Sequence, residues 1–70
     1  MLPLVLATPG EENIIKKIGG SQEVKKHLSD LGFAVGSRVT VITSISGNLV
    51  VSVKDCRVAI SSVLAQKIMI

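Results

Sequence analysis

Between Arg38 and Ile60 the chain alternates apolar and polar residues, and two short polar breaks cut that alternation into three pieces. Successive side chains on an extended backbone point to opposite sides, so this pattern describes strands with one buried face. Val39 and Val41 point one way, and Arg38, Thr40 and Ile42 the other. Ser46-Gly47-Asn48 turns the chain into Leu49–Lys54, where Leu49, Val51 and Val53 take the inward positions. Asp55-Cys56 reads as a second turn, after which Val58 and Ile60 continue the inward row. A meander with one apolar face needs a cover before it is stable in water. The rest of the 70 residues has to supply it.

The cover begins with a change of period. Val24, Leu28 and Leu31 fall at i, i+4 and i+7, which predicts one helix over about 22–31. Ser21 is a good N-cap, and Glu23 suits the positive first turn. Gly32 is the expected left-handed residue after the helix, with Phe33 folding back on Leu28. Upstream, residues 2–7 read as a strand closed by the turn Thr8-Pro9-Gly10. Residues 13–18 read as another strand, although Ile15 and Ile18 cannot share a face without a bulge. Ser61 to Gln66 can form one short helical turn near 61–66, and Lys67–Ile70 a closing strand. Five or six short strands and one helix imply a mainly β chain closed into a small barrel, which removes most exposed edges.

Size and composition narrow the functional classes. Residues 1–70 make a single domain, and a core this small must be apolar to hold. The chain is 47% hydrophobic with a mean hydropathy of +0.57, and Phe33 is its only aromatic residue. One cysteine allows neither an intrachain disulfide nor a cysteine-based zinc cluster, which favours a reducing cytosol over secretion. No apolar run approaches the length of a membrane span, so the chain is not expected to insert in a membrane. The apolar start is too short, and too poor in positive charge, for a signal peptide. One histidine, one cysteine and five acids offer no nucleophile–base pair, so an enzyme is not expected.

The net charge of +3 is unevenly placed. Residues 1–36 balance four lysines against four acids, whereas residues 37–70 set Arg38, Lys54, Arg57 and Lys67 against Asp55 alone. Lys54 and Arg57 flank the second turn and are expected near each other across it, with Arg38 on the same outward side. The same face shows Ile42, Val50 and Ala59, which must be either covered by the helix or offered to a partner. Arg38, Ile42, Val50, Lys54 and Arg57 are therefore the candidate partner-binding residues. His27 shares a helix flank with Glu23 and Asp30, an arrangement that is ordinary for a half-exposed helix and only weakly suggests a metal. Cys56 at a hairpin tip is ordinarily incidental. No cofactor, metal or catalytic residue is assigned.

The ordered set Pro9-Gly10, Ile15, Ile18, Gly19-Gly20, a helix, Leu31-Gly32-Phe33 and Gly36 is the first half of a resemblance. Val39, Val41, Gly47, a Val-rich strand, Arg57-Val58-Ala59-Ile60, Ala65 and Ile68 complete it. From Leu4 to Ile70 the chain resembles the ferrous iron transport protein A family of bacterial ferrous iron uptake. No single motif is distinctive, but the ordered set is specific. The family often has Pro at Val35, Gly in the turn at Asp55-Cys56, and Arg and Glu at Ser61 and Leu64. Cys is a poor residue for a turn position needing positive φ, so a looser hairpin is expected there.

The resemblance implies an SH3-like β-barrel with a helical insertion. It also implies a non-enzymatic accessory protein that docks on the cytoplasmic part of a GTP-hydrolysing membrane iron transporter. The same barrel occurs as the regulatory C-terminal domain of metal-dependent repressors, a second reading. A weak transition-metal-binding or nucleic-acid-binding barrel is a third, although one aromatic and +3 charge serve nucleic acid poorly. Ile68-Met69-Ile70 could pair within one barrel or with a neighbouring chain, which leaves a homo-oligomer open.

Overall fold

The computed structural model describes residues 1–70. Its elements, in chain order, are a 3-10 turn at Leu4–Leu6, β1 (Glu12–Ile14), β2 (Lys17–Ile18), α1 (Gln22–Asp30), β3 (Arg38–Ile45), β4 (Asn48–Val53), β5 (Cys56–Ser61), α2 (Ser62–Ala65) and β6 (Ile68–Met69). The alternating segment becomes the antiparallel meander β3–β4–β5, extended by β1 on the far side of β3. Its inward residues Val39, Val41, Leu49, Val51, Val53 and Ile60 are all buried. A second, two-stranded sheet pairs β2 with β6.

Helix α1 starts and stops on local chemistry. The Ser21 hydroxyl accepts the Val24 N–H at 3.3 Å, and so satisfies one of the free donors of the first turn. At the other end the Phe33 N–H reaches the Leu28 carbonyl at 2.9 Å and the Gly32 N–H reaches that of Ser29 at 3.0 Å. Gly32 has φ +105°. Those two bonds are a Schellman stop, and they deliver Phe33 and Leu28 together into the core. Both ends of α1 are also anchored to the barrel. Gly20, just before it, approaches the Lys67 stem at the start of β6, and Gly32, just after it, approaches Val53 and Lys54 at the end of β4. The helix therefore runs from the start of β6 to the β4–β5 turn.

Three expectations are corrected. Residues 2–7 are not a strand: pairing stops after Leu2, which exchanges two hydrogen bonds with Ile70, and the isolated bridge of Pro3 with Met69. The carbonyls of Pro3 and Leu4 then accept from Leu6 and Ala7, closing a 3-10 turn that buries Leu4 and exposes Leu6. A continuous apolar run carries no period, so it fits a turn as well as a strand.

Residues 13–18 are two strands, not one bulged strand. Ile15 donates to the Ser37 carbonyl and Lys16 to that of Met69, so the chain changes sheets between them. That corner lets Ile15 be fully buried and Ile18 pack on the same core.

The second hairpin turns at Lys54-Asp55, one residue earlier than the sequence suggested, and Cys56 opens β5 opposite Val53. Lys54 and Asp55 have φ +50° and +63°, and Ser46 and Gly47 have +45° and +81°. Both loops thus have two residues, each with positive φ, which is the backbone twist that matches flanking strands. The turn is tight rather than loose, because Val53 keeps its inward place and the register follows from it.

Thirteen apolar side chains form the core, and no polar side chain is buried. The result is a barrel of two sheets, with α2 packed against β4 and β5.

Candidate partner-binding surface

The outward face of the four-stranded sheet is laid out by strand register. One row crosses it as Glu12, Thr40, Ser52 and Arg57, each opposite the next. The neighbouring row is Thr43, Val50 and Ala59, with Ile42 added beside it. The β3–β4 register slips between Val41 and Thr43, so Ile42 is an extra residue at a bulge beside Val50, which in turn faces Ala59. A bulge re-aims a side chain and bends its strand. Ile42 is 39% exposed, Ala59 is exposed and Val50 is half-buried. Ile42 and Ala59 keep this exposure although α2 packs against β4 and β5, and α1 turns its buried side chain, Leu28, into the core.

Beside this row lies a shallow polar depression of about 330 Å³. It is lined by Glu12, Ser37, Arg38, Thr40, Ser52, Lys54 and Asp55. Arg38 and Lys54 therefore meet, but they do so among two carboxylates. Arg38 Nη1 lies 3.8 Å from Glu12 Oε1, with both side chains well exposed. Such a pair contributes about 0–1 kcal/mol and is screened by salt. The expected basic patch is thus a mixed-charge surface. Lys54 and Arg57 are not cross-strand partners: Lys54 occupies the turn, and Arg57 faces Ser52.

All five candidate residues, Arg38, Ile42, Val50, Lys54 and Arg57, belong to this face or its rim. Sequence reasoning missed Glu12 and Ile14. Their placement depends on β1 pairing with β3 across more than twenty residues, and only the opposite charges of Glu12 and Arg38 hinted at it. His27, Glu23 and Asp30 are exposed along α1, and nowhere do three His, Cys, Asp or Glu side chains gather into a metal-sized group. Cys56 is an exposed free thiol at the start of β5.

A small barrel with an apolar interior, two tight hairpins, a helical insertion and an exposed sheet face is a module of the SH3-like class. Residues 2–70 match the model of the FeoA domain. The chain is 39% identical to a putative Fe(2+) transport protein A of Methanocaldococcus jannaschii, over all of this chain and 85% of that protein. It superposes on the crystal structure of an iron uptake regulatory protein (FeoA) with a TM-score of 0.90 and 31% identity, covering 97% of this chain and 90% of that one. A manganese-dependent transcriptional repressor shares the fold at a TM-score of 0.86 and 20% identity, covering 94% of this chain but 38% of the repressor. The chain belongs to the FeoA domain family. No helix is long and apolar enough to cross a membrane.

Proposed function

We propose that this chain is an accessory protein of ferrous iron uptake that acts by docking. Its partner would be the cytoplasmic, GTP-hydrolysing part of a membrane iron transporter, and the contact the outward face of the four-stranded sheet. Family membership and the 39% identical relative, itself a putative Fe(2+) transport protein A, support the iron-uptake role. The observation that carries the docking face is the apolar cluster of exposed Ile42 and Ala59 with half-buried Val50, beside Arg57. An apolar strip rimmed by charged groups can exclude water at its centre and set orientation at its edge.

Docking modulates a transporter only by preferring one of its states, so regulation here is a difference between two affinities. The repressor-domain reading has less support, because 20% identity to the repressor shows a shared fold and no more.

The test is a titration of the ¹⁵N-labelled protein with the GTP-binding domain of the cognate transporter. Chemical-shift changes clustered on Arg38, Ile42, Val50, Lys54 and Arg57 are expected. An unchanged spectrum at saturating concentration would remove direct docking on that domain.

A further inference from the structure

The corner built by the N-terminal segment, α2 and the β2–β6 ladder has a character of its own. Eight large apolar side chains are exposed in the fold, and four of them, Met1, Leu2, Leu6 and Val63, belong to the N-terminal segment and α2. The 3-10 turn carrying Leu6 packs on α2, which carries Val63. Leu2 is tied to Ile70 by two hydrogen bonds, so this segment is fixed beside β6. Next to it a depression of about 430 Å³ is lined by Met1, Lys17, Gly19, Gln66, Lys67 and Met69. Lys17 faces Met69 across the β2–β6 ladder, and Gly19 donates to the Lys67 carbonyl at 2.7 Å, so both lysines are held at one end of the barrel.

Charge separates this corner from the polar depression. Residues 1–10 and 62–70, which build most of it, contain no Asp or Glu. The lining of the corner depression is cationic and apolar, whereas that of the sheet-face depression includes Glu12 and Asp55. Exposed aliphatic side chains flanked by lysines without acids suit a surface that is itself apolar beneath an anionic layer. We propose that this corner is a peripheral membrane-contact surface, which lays Leu2, Leu6 and Val63 into the headgroup region of a bilayer while Lys17 and Lys67 meet the phosphates of anionic phospholipids. The contact is reversible, since so few apolar side chains and two lysines fall short of a stable anchor. It is independent of transporter docking, because it uses different residues and needs no protein in the bilayer.

The experiment is co-sedimentation of the full chain with protein-free vesicles, either phosphatidylcholine alone or phosphatidylcholine and phosphatidylglycerol in equal parts. Binding to the anionic vesicles alone is expected, and it is lost when salt shortens the screening length to about 3 Å. Lys17→Gln and Lys67→Gln each lower the partition coefficient about fivefold. Leu6→Glu and Val63→Glu abolish binding with unchanged far-UV circular dichroism, since both side chains are already exposed (65% and 63%). Ile42→Glu, on the sheet face, leaves it intact. Absence of sedimentation at low salt overturns the proposal, and so does equal loss in Ile42→Glu. A dimer in sedimentation velocity that Leu6→Glu dissolves would overturn it too, by showing a second copy on this surface.

Discussion

At the scale of single residues, the backbone at Lys54 and Asp55 is the clearest departure from preference. Both hold positive φ with a Cβ present, a conformation that costs non-glycine residues about 1–2 kcal/mol each, less for Asp. Asn-Gly is the pair this loop geometry favours. The double substitution Lys54→Asn, Asp55→Gly is therefore expected to stabilise the fold by about 1 kcal/mol, and about 1 kcal/mol raises the melting temperature of a domain this size by roughly 4–8 °C. Thermal unfolding followed by circular dichroism checks it. Phe33 is the opposite case. It is fully buried, and replacing it by Ala removes about 3–5 kcal/mol from a domain whose whole stability is on the order of 4–10 kcal/mol. Phe33→Ala is expected to lose its cooperative melt. Ile42→Glu should do the reverse of both: as a surface change it moves stability by about 0.5 kcal/mol or less, while the titration with the transporter domain loses its response.

At the scale of elements, Gly32 decides whether α1 is delivered to the barrel. A Cβ there would meet Val53 and Lys54 at 3.7 and 3.9 Å, which is ordinary contact. The penalty of Gly32→Ala is thus conformational, about 1–2 kcal/mol, and it should appear as a lower denaturation midpoint with the helical signal retained. Elements of this kind were legible in the sequence. Ser21, the Val24–Leu28–Leu31 spacing and Gly32-Phe33 act within a few residues of one another, and so α1 stands where they put it, ending at Asp30 with Leu31 as its cap. The inward row of the meander was legible for the same reason, since alternation is local. What was not legible depends on distant partners. The Leu4–Leu6 turn, the change of sheet at Ile15 and the bulge at Ile42 follow from which strand lies alongside. The Lys54-Asp55 turn differs by one residue because Val53 must pair with Cys56 to stay buried, a matter of register. The candidate surface followed suit: its β3–β5 residues were found, and the β1 carboxylate that neutralises Arg38 was not.

At the scale of the molecule, two surfaces of the barrel have different characters. One presents a mixed-charge sheet face with an apolar strip, and the other an acid-free, apolar and cationic corner. Modest salt should therefore weaken contacts made by the corner more than those made by the strip, because apolar contact is not screened. Comparing the salt dependence of the vesicle and transporter-domain experiments checks this; equal slopes would contradict it. The mutual hydrogen bonds of Leu2 and Ile70 have a separate consequence. With the segments at Leu2 and Ile70 lying side by side, the fold from residue 2 to residue 70 is topologically almost a ring, and where it is cut is a matter of convenience. A short polar bridge joining the two ends, with new ends opened between Ser46 and Gly47, would leave every core side chain in place. The same adjacency lets such a barrel be spliced between two other segments without pulling either far from the other.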